Sequence, residues 1–226
     1  MTSALDGIRV IDWSTSVAGS WCSRLLADFG ADVIVIEARV GHPLRTHEDA
    51  DELFANKRAV ALDIESQRGK RIAVDLVRRS DVLVSSASGV ELTALGVAYP
   101  TFRRPSLIMG HVPDGSEGAV EGARLTGLVA ATGILAALRH RDEHAGTGQE
   151  LAVDADALLG GVTVGTRAAG AIGAPFALSA TPWGLRRPAP ARPGEHSFDV
   201  LRHVAGITDD HLLSYYEAGV IGVVEA

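Results

Sequence analysis

The chain has 226 residues, 46% of them hydrophobic and 22% charged, which is the composition of a globular protein with one sizeable core. Its formal net charge of −7 argues against nucleic acid as a partner, because phosphate backbones bind basic surfaces. The single cysteine, Cys22, excludes an intrachain disulfide, favours a cytoplasmic location and is expected to be a small buried side chain rather than a nucleophile.

The first third of the chain alternates between strand and helix patterns. Residues 8–12 (IRVID) and 32–38 (DVIVIEA) are short apolar runs typical of parallel strands. Residues 18–31 have helical spacing between them. Residues 61–66 predict an extended edge piece, and residues 69–80 predict an amphipathic helix.

The alternation continues through the middle of the chain. Residues 81–86, 106–112 and 150–155 predict three further strands, and residues 123–142 predict a long helix. A second helix, rich in small residues, is predicted over 156–170. Strands separated by helices indicate βαβ units and a parallel sheet. No apolar run reaches about 18 residues and the N-terminus lacks a leader pattern, so we expect no membrane segment.

The C-terminal part breaks this pattern. Residues 174–196 carry five prolines and predict an extended arm. Two short helices are expected after it, the second with Thr208 as its N-cap. The predicted organisation is therefore a Rossmann-like α/β core over residues 1–172, followed by the arm and a helical tail over residues 173–226.

Candidate ligand-binding loops follow the predicted strands, because ligands in such sheets bind at the carboxyl ends of the strands. These loops are residues 15–19, 37–39 and 85–89. The small-residue loop SVAGS (16–20) either presents N–H groups to an anion or forms a simple tight turn. Glu37 either holds a ribose hydroxyl or ends a solvated strand.

Two further groups of polar residues are candidates for chemistry. Asn56, Lys57 and Arg58 combine an amide with two cations, which suits phosphate binding, although a solvated charge run is the alternative. His111 and Asp114 follow a predicted strand and are either an acid–base pair or a chance neighbourhood. Cys and His are too few and too scattered to predict a metal site.

Four blocks of this sequence carry a family resemblance. They are LDGIRVIDWSTSVAGSWCSRLLADFGADVIVIEA, FANKRAVALDIESQRGKRIAVDLVRRSDVLV, GILAALRHRDEHAGTGQELAVDADALL and PARPGEHSFDVLRHVAGITDDHLLSYYEAGVIG. In this order they resemble the family III CoA-transferases of the CaiB/BaiF type, which include formyl-CoA transferase, carnitine CoA-transferase and α-methylacyl-CoA racemase.

The resemblance implies an intertwined dimer that binds CoA or an acyl-CoA as a ligand on the Rossmann-like core, without a tightly bound cofactor. The residues that would line this site by resemblance are Thr15, Ser16, Val17, Ala18, Ala38, Arg39, Asn56, Lys57 and Arg58. In the family's transferases an aspartate attacks the acyl-CoA and forms a mixed anhydride and then an aspartyl-CoA thioester. In its racemases a histidine and an aspartate exchange the α-proton.

The sequence departs from the family pattern at the catalytic position. Counting back from GILAAL puts Ala123 there, or Arg124 with a one-residue gap, and neither can be a nucleophile. The preceding segment is shorter than in the family, and the loop SSASG stands where the family has ENFRPG. The family's small domain is absent, and the arm over residues 174–194 takes its place.

Three hypotheses follow, and they leave open whether the chain is an enzyme. The first is a truncated homologue, a pseudoenzyme that binds acyl-CoA or acts as the non-catalytic partner of a full-length transferase subunit. The second is repurposed chemistry (isomerisation, dehydration or cyclisation) that uses His111, Asp114, Glu117 or Glu121. The third is a structural dimer without a ligand.

Overall fold

The strands form one mixed sheet with the order typical of dinucleotide-binding folds. A computed structural model describes residues 3–98, 102, 104–113, 120–153 and 187–222. The strands in this part are β1 (Arg9–Trp13), β2 (Asp32–Glu37), β3 (Lys57–Leu62), β4 (Val82–Ser85), β5 (Ile108–His111), β6 (Glu150–Ala152) and β7 (Ile221–Gly222). Their order is β6-β5-β4-β1-β2-β3-β7. All neighbours are parallel except β3 and β7.

Three of the described helices begin at a serine whose side chain caps them. In the described residues they are α1 (Val17–Asp28), α2 (Ala50–Phe54), α3 (Gln67–Arg78), α4 (Gly89–Leu95), α5 (Val120–Glu143), α6 (Ser197–His203) and α7 (Asp209–Glu217), with a 3-10 turn over Pro43–Thr46. The hydroxyls of Ser16, Ser66 and Ser88 each accept a hydrogen bond from a backbone N–H in the first turn of α1, α3 and α4. These bonds satisfy donors that the helix itself leaves unpaired.

Two apolar clusters lie on opposite faces of the sheet. One joins α1 and α5 to the sheet and includes Trp21, Leu26 and Ile134. The other joins α3, α6 and α7 to the opposite face and includes Leu76 and Leu201. The sheet is therefore covered on both sides, which explains why its parallel strands read as continuous apolar runs.

Helix α5 packs closely on α1. A methyl group added at Gly127 would lie 2.5 Å from the carbonyl oxygen of Ala18, so only glycine allows this approach. By length and hydropathy alone α5 could cross a membrane, since it has 24 residues and a mean hydropathy of 1.3 over its most apolar stretch. Its residues Ala130, Ile134 and Ala137 are buried in the cluster it shares with α1, so in this fold α5 is a core helix.

The observed architecture confirms the predicted Rossmann-like α/β class and corrects one element. Residues 61–66 are not an edge piece, because the strand begins earlier, at Lys57, and lies between β2 and β7. All of its residues are buried, including Lys57 and Arg58, so the interpretation of this stretch as a solvated charge run is wrong.

The tail of the chain joins the sheet directly. β7 pairs with β3, and the backbone N–H of His196 donates to Ala59 O at 3.1 Å. Thr208 precedes α7 as predicted, but its side chain makes no capping bond within the helix. The predicted helix over 156–170, the end of the strand over 150–155, most of the arm over 174–196 and the proposed boundary at residue 172 lie outside the described residues, so these stay predictions.

Candidate ligand site at the switch point of the sheet

The strand order reverses at β1, whose neighbours are β2 on one side and β4 on the other. In open α/β sheets such a switch point opens a crevice at the carboxyl ends of the two central strands. Here Thr15 and Ser86 meet across it. The Thr15 N–H donates to Ser86 Oγ at 2.8 Å, and the two hydroxyls lie 3.2 Å apart. The crevice therefore presents exposed hydroxyl groups to solvent.

The loop between β1 and α1 is built tightly from small residues. Ser14 donates from both its N–H and its hydroxyl to Asp12 Oδ1, at 3.2 and 2.6 Å. Ser16 donates its hydroxyl to Val112 O at 2.8 Å and accepts from the N–H of Gly19. A methyl group at Gly19 would lie 2.5 Å from Ser14 Cβ. This geometry matches the tight-turn alternative. Anion binding by the same loop stays a prediction.

A buried ion pair lies beneath this loop. Lys57 Nζ donates to Asp12 Oδ2 at 3.0 Å, and both side chains are essentially inaccessible to solvent. Burial alone would raise the pKa of Asp12, but the Lys57 ammonium and two serine hydroxyls outweigh it and hold that pKa below its usual value. Burial lowers the pKa of Lys57, against the opposing effect of Asp12. Asp12 is therefore the ionised anchor of the site.

His42 connects the segment after β2 to the loop between β1 and α1, and the sequence analysis did not predict this contact. Its Nε2 lies 2.7 Å from Ser14 O, and its Nδ1 accepts from the N–H of Leu44 at 3.1 Å. These two partners place the proton on Nε2 of a neutral ring. Burial, the largest influence, lowers the pKa of His42. A lone histidine before a proline gives no local signal of such a role.

Glu37 is not a solvated strand end. Its side chain is fully buried, and Arg45 donates to it twice, at 2.9 Å each. Its third bond comes from the N–H of Gly194 at 2.9 Å. Arg45 also donates to Pro190 O at 2.7 Å, so this pair fastens the tail against the end of β2. The solvated strand end is therefore wrong, and a ribose contact, which stays a prediction, would have to compete with these donors.

Ala38 and Arg39, by contrast, are exposed at the carboxyl edge. They follow β2 in a short turn, closed by a bridge between Ala38 and Gly41. The Arg39 guanidinium lies close to Gly219 and Gly222 of the tail. Among the cations predicted to line the ligand site, Arg39 is the one that solvent reaches freely.

Asn56, Lys57 and Arg58 do not form a common patch. Lys57 points toward α1, whereas Arg58 donates to both oxygens of Asp32, at 2.6 and 2.7 Å, and to Asp199 at 3.0 Å. Asn56 donates to Asp28 at 2.6 Å. Phosphate binding by these cations, which stays a prediction, would require their carboxylate partners to release them.

The start of α5 holds the position that the resemblance assigns to a catalytic aspartate. Ala123 is buried, and Arg124 Nη2 lies 2.6 Å from Glu52 and 3.0 Å from Asp49. The guanidinium also lies 4.9 Å above the ring of Trp21. Arg124 is therefore committed to an ion-pair cluster between α5 and α2.

The predicted catalytic candidates are not brought together in the described residues. His111 ends β5, and its buried Nδ1 has no hydrogen-bond partner in the part of the chain that the structure describes. Glu121 is exposed in the first turn of α5. Asp114 and Glu117 lie outside the described residues. Cys22 is buried, and burial followed by the Asp12 charge raises the pKa of its thiol well above its usual value, so a nucleophilic role is not supported.

Two clefts in the described residues lie away from the switch point. One, of about 240 Å³, is lined by Asp6, Asp32 and Asn56 near the start of β2. Another, of about 440 Å³, separates α3 from α4. No group of three metal-binding side chains occurs in the part of the chain that the structure describes.

The topology of the sheet defines a Rossmann-type α/β fold. Residues 5–121 match the family model of CoA-transferase family III, and the chain belongs to that family. The predicted resemblance is confirmed.

Curated relatives are formyl-CoA:oxalate CoA-transferases. The protein from Streptomyces avermitilis is 32% identical over 197 residues, which is 68% of this chain and 48% of the relative. The protein from Afipia carboxidovorans is 30% identical over 199 residues, which is 68% of this chain and 46% of the relative. The chain thus spans about half the length of the curated relatives it matches.

Solved structures share the fold. A hypothetical protein from Mycobacterium tuberculosis superposes with a TM-score of 0.62 at 24% identity, covering 70% of this chain and 55% of that one. A CaiB/BaiF family protein from Brucella suis superposes with a TM-score of 0.60 at 22% identity, covering 67% of this chain and 53% of that one.

Proposed function

We propose that this chain binds CoA or an acyl-CoA at the carboxyl edge of its sheet without performing aspartyl-CoA chemistry with its own residues. The start of α5 carries the proposal, because Ala123 is packed in the core and Arg124 is held by Asp49 and Glu52. Acyl transfer through a mixed anhydride needs a carboxylate nucleophile. Its replacement removes the reaction route itself rather than part of its rate.

The ligand side of the proposal is supported by family membership and by the switch-point crevice. Thr15 and Ser86 offer hydroxyls, and Arg39 offers an exposed cation at the same edge. CoA carries phosphates that an arginine binds through charge-assisted hydrogen bonds. Arg39 is therefore the first residue whose removal should weaken CoA binding.

Calorimetric titration with CoA and a panel of acyl-CoAs tests this assignment. We expect Arg39→Ala to weaken binding about tenfold, the loss of one charge-assisted contact worth roughly 1.4 kcal/mol. The matched control is Arg79→Ala, an exposed cation at the opposite edge of the sheet, before β4. Absence of binding by the wild type, or equal weakening by both variants, would refute the proposal. Lys57→Ala/Arg58→Ala is unsuitable, because it removes the cation that pairs with the buried Asp12 and one of the two arginines that pair with Asp32.

Two roles fit a CoA-binding chain without the nucleophile. It is either half of a homodimer that presents acyl-CoA, or the non-catalytic subunit of a heteromer with a full-length family member that supplies the aspartate. Transfer assays with formyl-CoA and oxalate, the substrates named for the curated relatives, test both. We expect no turnover by the isolated chain, and turnover that this chain increases when a full-length subunit is co-expressed. Turnover by the isolated chain that is lost in Glu121→Gln or Asp114→Asn would contradict a non-catalytic role.

A second candidate function is supported by His111 at the end of β5, whose buried Nδ1 has no hydrogen-bond partner among the described residues. A ring nitrogen in this state can take or give a proton, which is the first step of isomerisation, dehydration or cyclisation. Deuterium incorporation from D2O into a panel of carboxylic acids and their CoA thioesters would detect such a step. We expect it to disappear in His111→Gln and to persist in Glu121→Gln. Undiminished exchange in His111→Gln would exclude this function.

A further inference from the structure

Lys57 makes three hydrogen bonds inside the protein. Its Nζ donates to Asp12 Oδ2 at 3.0 Å, to Ser20 O at 2.7 Å and to Ser20 Oγ at 3.0 Å. Three acceptors match the three N–H bonds of an ammonium group. The side chain is completely buried, so no donor remains for an external phosphate.

Two successive sets of contacts connect Lys57 to the loop between β1 and α1. Lys57 and the Ser23 hydroxyl fix Asp12 Oδ2, which leaves Oδ1 for the N–H and hydroxyl of Ser14. The carbonyl of Ser14 then accepts from His42. Lys57 therefore orients the carboxylate on which the loop between β1 and α1 rests, directly before Thr15.

Stability alone does not account for this pair. Replacing a buried ion pair with apolar side chains of similar volume is often neutral or stabilising. The last four residues of β3, Ala59 to Leu62, are apolar and buried, so an apolar side chain would also suit its first position. The ion pair instead fixes the orientation of the Asp12 carboxylate, because a carboxylate with two fixed oxygens holds its donors in one geometry.

We propose that Lys57 is a positioning residue that sets the Ser14–Thr15 turn for ligand binding through Asp12, and that it does not bind the ligand itself. This inference rests on the proposed function for the identity of the ligand. Lys57 would thus act indirectly, through Asp12, and would not bind a phosphate of the ligand. Loss of Lys57 alone would leave Asp12 buried beside Cys22 and His42 without a cation. The carboxyl would then become protonated and would compete as a donor with Ser14.

The test compares Lys57→Met with Val60→Ala, a fully buried position on the opposite face of β3 that also perturbs the core. We expect Lys57→Met to weaken CoA binding about tenfold or more, a change of roughly 1.4 kcal/mol, while Val60→Ala leaves affinity unchanged. Equal weakening in both variants would mean that Lys57 has only a structural role and would overturn the inference.

A second measurement needs no ligand and separates the two proposals. The amide resonance of Ser14 should be independent of pH in the wild type and in Val60→Ala. In Lys57→Met it should titrate with the Asp12 carboxyl, because burial would raise the pKa of Asp12 once the Lys57 ammonium is gone. Asp12→Asn/Lys57→Met removes the titrating group and should abolish the titration. A Ser14 resonance that does not respond in Lys57→Met overturns the inference. Titration of Ser14 in a chain that binds no CoA would support the positioning role and refute the proposed ligand.

Discussion

Arg45→Met should lower the free energy of unfolding strongly, although Arg45 lies in the short 3-10 turn between β2 and α2. The variant removes both hydrogen bonds to Glu37 and the bond to Pro190 O. It also removes the contact of the guanidinium with Phe54, at 4.8 Å. Among the described residues, Glu37 then keeps one donor, the N–H of Gly194, while its side chain stays fully buried.

The magnitude follows from breaking a buried pair on one side only. Such changes cost about 3–5 kcal/mol, because the remaining charge has lost both water and partner. In a chain of this size that corresponds to a fall in Tm of roughly 6–20 °C. Arg45→Met/Glu37→Met should recover most of the loss, because no buried charge remains. Its deficit should be smaller than the sum of the single losses by at least about 1 kcal/mol.

Urea unfolding followed by far-UV circular dichroism measures all three variants. Arg78→Met is the matched control, because Arg78 and Asp75 form an exposed pair whose loss should cost less than about 1 kcal/mol. A loss below about 1 kcal/mol in Arg45→Met would refute the reasoning. So would a double variant as unstable as the sum of the two single variants.

Three further changes test other parts of the structure. Gly127→Ala should destabilise by about 1–3 kcal/mol in urea unfolding, because its methyl group meets the backbone of α1, whereas Gly133→Ala meets only a movable leucine side chain and should cost less. The pKa of His42 is lowered in the folded protein, so as pH falls the unfolded chain takes up a proton at this residue before the folded one does. The free energy of unfolding should therefore decrease as pH drops below about 6.5. The decrease should be shallower in His42→Gln. Arg124→Asp should cost about 1–2 kcal/mol more than Arg124→Met, because it adds a third carboxylate to an acidic pair, and it should not produce transferase activity. Turnover by the Arg124→Asp chain would show that the missing carboxylate was all that the site lacked.

Local patterns predicted most of the sheet because its strands are apolar runs buried on both faces. They failed at β3, whose first residues are charged. The charge of Lys57 is compensated 45 positions away in sequence, by Asp12, and that of Arg58 is compensated 26 and 141 positions away. No window along the chain contains both partners of such pairs, so the stretch looked solvated.

For the candidate site, too, the sequence predicted the position of the loop but not the contacts between residues far apart in the chain. The rule for parallel sheets predicts a ligand-binding loop at Thr15 and Ser16, since it depends only on strand order, and ligand binding there stays a prediction. It could not reveal His42, whose role depends on a carbonyl 28 positions earlier. It also suggested a ribose contact for Glu37, because nothing near that residue in sequence indicates the tail backbone 157 positions later.

The pairing of Glu37 with Arg45 restricts how a nucleotide-like ligand can bind to this chain. In dinucleotide-binding folds an acid at the end of the second strand accepts from a ribose hydroxyl. Here both oxygens of that acid are already occupied by donors from Arg45 and the tail. A ribose could compete only by displacing a buried guanidinium, which costs more than one neutral hydrogen bond returns. Under the proposed CoA binding, we therefore expect polar contacts to the ligand from the Thr15 and Ser86 hydroxyls and from Arg39, which follows the buried carboxylate at the end of β2.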